Sequence, residues 1–312
     1  MKNLQGKTAF ITGGASGIGL GMAQAFAAAG MRIVMADIDP AALEKASADF
    51  RQAGTEVMSV VLDVTQAAAW SSVADQVEAD FGPVDVLCNN AGMGQGRMAF
   101  NKHYELTDIS RELWQLLMET NVSSVYYGIR TFAPRMKARG AGGHIVNTAS
   151  MAGFLAPAGL AVYVATKFAV LGLSESVRAE LQPHGIGVSV LCPGGVQSNL
   201  VATSASIRQA RPETNAGMQA AMVRPAESDP VKMSARKVGD RVLQAVRNDE
   251  LYIVTHPEYA PLMEERFASI LSAIGESAEP GYADTPAMLQ RSRSPIYEDL
   301  ATRLARKEGS RA

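Results

Sequence analysis

Cysteine, histidine and aromatic residues are scarce in this sequence of 312 residues, of which 6% are aromatic. The only two cysteines, Cys88 and Cys192, fall at the ends of apolar stretches, so we interpret them as buried, reduced thiols. They provide no disulfide framework, and no Cys/His spacing indicates a metal site. We interpret the four scattered histidines as structural or exposed: His103, His144, His184 and His256.

Excess charge and long apolar runs are also missing. The formal net charge of −2 offers no electrostatic attraction for nucleic acid or for an anionic membrane surface. No apolar run reaches the length of a membrane span, and no signal peptide precedes the first predicted strand. We therefore expect a cytoplasmic protein without a nucleic-acid or membrane partner.

Hydrophobic residues make up 47% of the chain, enough for a large core. Short β-prone runs alternate with helical patterns, which predicts an α/β fold with a doubly wound parallel sheet of about seven strands. Strands are predicted near 7–11, 32–36, 57–61, 84–88, 143–149, 187–191 and 251–254. Helices are predicted near 18–29, 40–53, 66–80, 109–138, 160–182, 229–248 and 257–274.

A glycine-rich turn joins the first predicted strand to the first helix. Gly13, Gly17 and Gly19 lie in the stretch that begins at Thr12. Backbone N–H groups of such a turn and the helix N-terminus can face a pyrophosphate, and a Cβ there would block its approach. The spacing Gly-x-x-x-Gly-x-Gly differs from the standard dinucleotide pattern, so the turn alone is only indicative of a nucleotide site.

An acidic residue, Asp37, ends the second predicted strand. A carboxylate at this distance from the glycine turn can accept hydrogen bonds from ribose hydroxyls and would repel a 2′-phosphate. The sequence therefore favours NAD over NADP. Asp39, followed by Pro40, is predicted to be a helix N-cap.

Tyr163 and Lys167 are four residues apart, which places them on one face of a helix. An ammonium close to a phenol favours the phenolate, so we expect Lys167 to lower the pKa of Tyr163 toward neutrality. Such a phenol can exchange a proton with an alcohol or ketone oxygen. Taken alone, the pair is more often an ordinary feature of a helix surface.

In combination and in this order, the motifs resemble those of the short-chain dehydrogenase/reductase family. The motifs are Thr12-Gly13-x-x-x-Gly17-x-Gly19, Asp63-Val64, Asn89-Asn90-Ala91-Gly92, Asn121, Ser150, Tyr163-x-x-x-Lys167 and Pro193-Gly194-Gly195-Val196. The resemblance covers roughly residues 5–255 and implies a Rossmann-type fold. It also implies contacts with NAD from Gly13, Ser16, Gly17, Ile18, Gly19, Asp37, Asp63, Val64, Asn90, Ala91, Gly92, Tyr163, Lys167, Pro193, Gly194, Val196 and Ser198.

The same resemblance implies a catalytic set of Asn121, Ser150, Tyr163 and Lys167. Tyr163 would act as acid/base and Ser150 would hold the reacting oxygen. Lys167 would contact the nicotinamide ribose, and Asn121 would complete a proton path to solvent. Asp63 could instead be a turn residue at the strand end, and the amides around Asn90 could simply fix a loop.

Two positions depart from the family pattern without affecting the expected chemistry. Ala149 occupies a position that often carries serine, and Ser198 replaces the usual threonine while keeping the hydroxyl.

We expect one catalytic domain over residues 1–274, with a polar, loop-like substrate lid at 198–230 that includes Met218, Met222 and Pro225. Residues 93–108 form a long loop in which Phe100, His103 and Tyr104 could touch substrate. Residues 275–312 form a C-terminal extension with a possible helix at 295–307. The two helices around Trp114–Ile129 and Tyr163–Leu181 are apolar nearly all round, and ordinary packing against the sheet would explain only one face of each. The family resemblance implies that these two helices pair across a two-fold axis, so we expect a homodimer or homotetramer.

The expected reaction is oxidation of a secondary alcohol, bulky or aromatic, to a ketone by NAD. The chain length and the segment Leu251–Glu258 are similar to those of the group that oxidises benzylic alcohols of lignin-derived aryl ethers. An alternative is an NADPH-dependent carbonyl reductase. A remote alternative is a nucleotide-sensing protein without catalysis, although such proteins usually lack the tyrosine or the lysine.

Overall fold

The computed structural model describes residues 1–96, 105–215, 232–275 and 293–297. Several sequence predictions lie outside these residues. They concern Phe100, His103 and Tyr104 in the long loop, residues 216–230 of the proposed lid, and all but 293–297 of the C-terminal extension after Gly275.

Seven parallel strands form one sheet in the order β3-β2-β1-β4-β5-β6-β7. The strands are β1 Thr8–Thr12, β2 Arg32–Asp37, β3 Val57–Val61, β4 Val84–Asn89, β5 Gly143–Thr148, β6 Ile186–Cys192 and β7 Tyr252–Val254. Strands β2 and β3 therefore follow on one side of β1, and strands β4 to β7 follow on the other side. The carboxyl ends of β1 and β4 flank the point of reversal, where parallel α/β sheets bind their ligands.

The described helices cover both faces of this sheet. They are α1 Gly17–Ala28, α2 Pro40–Gln52, α3 Ala67–Phe81, α4 Arg111–Met118, α5 Ser124–Arg139, α6 Ala161–Leu181, α7 Leu200–Gln209, α8 Ala235–Asn248 and α9 Ala260–Ser272. Apolar side chains of α1, α2 and α8 pack on one face, and those of α3, α5 and α6 pack on the other. The predicted Rossmann-type, doubly wound fold is confirmed.

A glycine pair allows α1 and α8 to approach closely on the first face. A Cβ at Gly21 would lie 2.1 Å from the carbonyl oxygen of Ala235, and one at Gly239 would lie 2.1 Å from that of Gly21. On the second face Phe10 of β1 packs against Phe132 of α5, with ring centroids 4.9 Å apart. Burial of such an aromatic side chain contributes about 2–3 kcal/mol, so both layers are held firmly against the sheet.

The helix predicted over 109–138 is interrupted in the structure. Residues Glu119–Ser123 form a π-helical turn between α4 and α5, and Asn121 lies inside it. A π turn inserts one additional residue into the helical ladder and is frequent at functional sites. The interruption brings the buried Asn121 side chain to the loop that follows β4.

Two other predictions about secondary structure were wrong. The region after Leu200 is not loop-like, because α7 spans Leu200–Gln209 and a 3-10 turn follows at Pro212–Asn215. The helix expected from residue 229 begins only at Ala235, where the Ser234 hydroxyl accepts a hydrogen bond from the Lys237 amide as its N-cap.

In the predicted tail helix, residues 295–297 are described and are helical, with Ile296 buried against the core around Phe154. Across the residues that the structure describes, none of the helices is both long enough and apolar enough to span a bilayer.

Candidate active site

The Thr12 hydroxyl links the carboxyl end of β1 to the turn after β4, at the point where the sheet order reverses. Thr12 Oγ1 donates to the carbonyl oxygen of Cys88 (3.3 Å) and accepts from the amides of Asn90 (2.9 Å) and Ala91 (3.0 Å). The turn Asn89–Gly92 is thereby attached to the end of β1. The glycine turn and the predicted catalytic residues all lie around this edge of the sheet.

The glycine turn adopts backbone conformations that require glycine. Gly13 and Gly17 have φ values of +62° and +51°, and a Cβ at Gly13 would lie 3.1 Å from Ala91 Cα. Gly19 is needed for packing, since its Cβ would lie 2.0 Å from the Gly13 carbonyl oxygen. Positive φ values at Gly13 and Gly17 and close packing at Gly19 therefore explain why glycine occupies these three positions.

The N-terminus of α1 has the properties of an anion site. The Ser16 side chain makes no capping hydrogen bond, and no acidic residue occupies the first helical turn. A cavity of about 300 Å³ opens here, lined by Gly17, Leu20, Gly21, Gln24, Gln197, Ser198, Asn199 and Ala235. Free amides at a helix N-terminus beside a cavity suit the pyrophosphate of a dinucleotide. Ile18 lies in the same first turn, so the residues present fit the cofactor that the sequence implied.

Asp37 supports the glycine turn from the end of β2. Its carboxylate accepts from the Ala15 amide (3.2 Å) and from the Asp39 amide (3.3 Å), and it remains half-exposed. The carboxylate therefore keeps lone pairs that a ribose could use. Asp39 accepts from the amides of Ala41 and Ala42, as expected for the N-cap of α2.

Asp63 shows the role of a turn residue. Its carboxylate accepts from the amide (3.0 Å) and the hydroxyl (2.7 Å) of Thr65. Val64 is buried, and its carbonyl oxygen accepts from the Trp70 indole at 3.0 Å. Contacts of these two residues with adenine stay a prediction.

The segment after β4 is fixed by side-chain amides. The Asn90 side chain donates to the Thr12 carbonyl oxygen (3.0 Å) and accepts from the Thr148 hydroxyl (3.3 Å). A Cβ at Gly92 would lie 3.2 Å from Asn121 Oδ1 and 3.8 Å from Lys167 Nζ. Gly92 therefore lets the backbone pass directly beside the lysine.

Tyr163 and Lys167 lie on one face of α6, as their spacing predicted. The Lys167 ammonium is 5.5 Å from the centroid of the Tyr163 ring and donates to the Thr148 carbonyl oxygen at 3.0 Å. Lys167 is buried and Tyr163 is half-buried. Because an ammonium has three donors, Lys167 can bind a further partner besides Thr148.

Ser150 faces these two residues from the end of β5. Its hydroxyl accepts from the Ala152 amide at 3.1 Å and donates to the Pro193 carbonyl oxygen at 3.4 Å. Ser150 is also close enough to Tyr163 to act on the pKa of the phenol, in the lowering direction. The serine, tyrosine and lysine predicted from the sequence are therefore together in space.

The expected effect of Lys167 on the tyrosine was wrong for this structure. Burial raises the pKa of Tyr163, and the neighbouring Ser150 side chain only partly opposes this. Burial also lowers the pKa of Lys167, from 10.5 to about 8. Desolvation is the largest cause of both shifts, and a four-residue spacing does not reveal how deeply the two groups are buried.

Asn121 links the π turn to the loop after Gly92. Its side chain accepts from the Met93 amide (2.8 Å), donates to the Met93 carbonyl oxygen (2.9 Å) and donates to the Thr166 hydroxyl (3.2 Å). It is 1% exposed. These contacts attach the loop to α6 one residue before Lys167.

Pro193–Val196 forms a turn directly after β6. The Pro193 carbonyl oxygen accepts from the Met151 amide at 3.0 Å, which joins this turn to the Ser150 segment. Val196 pairs with Met233 in an isolated β-bridge. Two residues further on, Ser198 lies so close to the glycine turn that a Cβ at Gly17 would be 3.0 Å from Ser198 Cβ. The turn therefore connects the Ser150 segment with the glycine turn.

Sequence reasoning missed Gln95 and the importance of His256. Gln95 is 1% exposed, and its Oε1 accepts from the amides of Val162 (3.0 Å) and Tyr163 (3.1 Å) in the first turn of α6. Its own carbonyl oxygen accepts from Arg208 on α7 at 2.7 Å. His256 hydrogen-bonds to Gly194 and Gly195. Both residues act across long sequence separations, so no local pattern could identify them.

Comparisons with known proteins agree with this geometry. The family described as short chain dehydrogenase matches residues 7–209. A C alpha-dehydrogenase from Sphingobium sp. is 33% identical over 276 residues, which cover 88% of each protein.

Solved structures show the same similarity. The apo form of LigO from Sphingobium sp. is 36% identical, with a TM-score of 0.71 and coverage of 96% of this chain and 98% of that one. A short chain dehydrogenase/reductase from Burkholderia phymatum, in complex with NAD, is 32% identical, with a TM-score of 0.75 and coverage of 90% and 100%.

Proposed function

Because this chain belongs to the short-chain dehydrogenase/reductase family of oxidoreductases, we propose that it oxidises a bulky or aromatic secondary alcohol to the ketone with NAD. The observation that carries the proposal is the cluster of Ser150, Tyr163 and Lys167. The Lys167 ammonium is buried 5.5 Å from the centroid of the phenol ring, and the neighbouring Ser150 side chain acts on the pKa of that phenol. Such a cluster is suited to proton transfer with an alcohol oxygen.

Each residue of this cluster has a distinct task. Tyr163 accepts the hydroxyl proton of the alcohol, and Ser150 hydrogen-bonds to the same oxygen and fixes its position. Lys167 holds a positive charge next to the phenol and offers donors to a ribose. When bound, NAD supplies the hydride acceptor.

The raised pKa of Tyr163 affects how the proton moves. A phenol with a raised pKa is protonated at neutral pH, so it must lose its proton before it can accept another. Lys167, with a pKa of about 8 and its ammonium 5.5 Å from the centroid of the ring, can take part in that relay. Asn121 holds the Met93 loop beside it and is the proposed link toward solvent.

Asp37 supports NAD over NADP. Its carboxylate is half-exposed at the end of β2, where a 2′-phosphate would meet a negative charge. The complex of the Burkholderia phymatum relative with NAD is consistent with this choice. The proposed contacts are those of the glycine turn, Asp63–Val64, Asn90–Gly92 and the turn after β6.

A benzylic alcohol is the substrate class that we propose to test first, on the basis of the similarity to the C alpha-dehydrogenase. Helix α7 forms the described part of the proposed lid over this site. We also propose a cytoplasmic homodimer or homotetramer. Trp114 and Tyr126, both more than 40% exposed, leave apolar surface on α4 and α5 for a second copy.

The decisive test combines a substrate screen with one variant. Secondary alcohols, benzylic ones included, are offered with NAD and formation of NADH is followed. We expect turnover by the wild type, a loss of at least about 10²-fold in Tyr163→Phe, and unchanged NAD binding by fluorescence titration.

The alternative of an NADPH-dependent carbonyl reductase is tested in the same series. If no alcohol reacts while simple ketones consume NADPH, both the direction and the cofactor that we propose are wrong. Equal activity of the wild type and Tyr163→Phe would instead remove the proposed role of the phenol.

A further inference from the structure

We propose that His256 is a positioning residue that holds the Pro193–Val196 turn in the shape needed to receive the nicotinamide end of NAD. The proposal rests on the NAD-dependent function proposed above. The proposal gives a role to the segment Leu251–Glu258, which takes no part in the cluster of Ser150, Tyr163 and Lys167.

Two ring nitrogens of His256 bind two successive residues of the turn. Nδ1 lies 3.1 Å from the Gly194 amide nitrogen, and Nε2 lies 3.1 Å from the Gly195 carbonyl oxygen. The ring is 6% exposed, and Tyr259 packs against it edge-on with the ring centroids 6.3 Å apart. A histidine in the loop after β7 thus binds the backbone that follows β6.

The chemistry of the neighbours determines the tautomer. The Gly194 amide can only donate, so Nδ1 must be unprotonated, and the Gly195 carbonyl can only accept, so Nε2 must carry the proton. The Thr255 hydroxyl, 2.7 Å from Nδ1, must then donate as well. A neutral imidazole with its proton on Nε2 satisfies all three neighbours.

The His256 ring packs so closely against the turn that only glycine fits at position 194. A Cβ at Gly194 would lie 2.8 Å from His256 Cγ and 2.9 Å from Tyr259 Cε2. The next residue, Gly195, is exposed and has no heavy atom within 4 Å of its Cβ position. His256 therefore fixes one side of the turn while the other side stays open to a ligand.

The position of the turn explains why its shape matters. Pro193 accepts a hydrogen bond from the Ser150 hydroxyl, so the turn begins beside the reacting oxygen. Ser198, close to Gly17, lies at the phosphate end. Backbone groups between these two points would hold the part of a bound dinucleotide between its pyrophosphate and its nicotinamide.

The test compares two ligands that differ only in the nicotinamide. NAD and ADP-ribose share the adenosine and the pyrophosphate, whereas ADP-ribose lacks the nicotinamide ring. Dissociation constants of both are measured by calorimetry for the wild type, His256→Phe and His256→Asn. The phenyl ring keeps the bulk but no nitrogen, and the asparagine keeps an acceptor in reach of the Gly194 amide.

We expect His256→Phe to weaken NAD about ten-fold or more, as for the loss of two net hydrogen bonds, and ADP-ribose by less than about two-fold. His256→Asn should weaken NAD less. His184→Asn, which changes an exposed histidine in the 3-10 turn before β6, is the matched control and should change neither constant.

Equal weakening of both ligands, or no effect on NAD, would overturn the proposal. If His256→Phe does not fold, the same comparison is made with His256→Asn. A residue with a purely structural role would weaken the binding of NAD and of ADP-ribose equally. A wild type that binds neither ligand would refute the NAD-dependent function itself, which distinguishes the two failures.

Discussion

Gln95 supplies a cap for the catalytic helix that can be removed with one substitution, Gln95→Met. Helix α6 begins after Leu160, which has no side-chain cap, and the Oε1 of Gln95 takes that place from a different part of the chain. It accepts from the amides of Val162 and Tyr163, and its Nε2 donates to the Gly159 carbonyl oxygen at 3.2 Å. Methionine has a similar volume but cannot accept these hydrogen bonds.

The expected loss follows from the buried groups left without partners. Each buried donor that loses its acceptor costs about 1–3 kcal/mol, and loss of a helix cap costs about 0.5–2 kcal/mol. Because both amides share one oxygen, the two costs overlap. We expect the free energy of unfolding to fall by about 2–4 kcal/mol.

Urea unfolding followed by circular dichroism, at one fixed protein concentration, measures this loss. Gln52→Met is the control, since Gln52 is exposed at the end of α2 and its change should stay within about 0.5 kcal/mol. If Gln95→Met is as stable as that control, the glutamine does not cap α6 and the geometry has been misinterpreted.

Two further predictions concern buried charges. Arg178 is 3% exposed and binds both carboxylate oxygens of Asp249 at 3.0 Å, so Arg178→Met should lower the free energy of unfolding by about 2–4 kcal/mol. Arg236→Met, in the exposed pair with Asp240, should change it by less than about 1 kcal/mol. Urea titration of both variants measures these effects, and similar losses in the two would contradict the prediction. Burial lowers the pKa of Lys167 to about 8, below that of an unfolded lysine, so the unfolded chain binds more protons between about pH 8 and 10.5 and stability must rise over that range. Relative to Lys167→Met, the wild type should gain up to about 3 kcal/mol from pH 7.5 to 10 in urea titrations, and a constant difference would refute the lowered pKa.

Local patterns were sufficient to predict the frame and the reactive cluster. Alternating strand and helix patterns predicted all seven strands within one or two residues, because a strand buried on both faces has a recognisable apolar run. The four-residue spacing placed Tyr163 and Lys167 together because helix geometry is regular. The resemblance added Ser150 and Asn121, and the structure brings both into the same region.

Other parts depended on contacts that the sequence does not display. Helix α7 has Ser204 as its buried residue and therefore lacks the apolar period that marks a helix. The π turn at Asn121 lies within a sequence pattern that predicts one continuous helix over 109–138. The pKa of Tyr163 depends on desolvation, and Gln95 reaches α6 from 67 positions away.

The π turn at Glu119–Ser123 has a consequence for how this fold can vary. A π-helical ring contains one residue more than an α-helical ring, and in spite of it the apolar residues of α4 pack against Met93 and Val162 while those of α5 pack against the sheet. Loss of a single codon here would restore an uninterrupted helix of the same orientation. We expect the fold to persist after such a deletion, whereas the Asn121 side chain would no longer contact the Met93 loop. A change of one residue here could therefore remove a part of the active site without unfolding the protein.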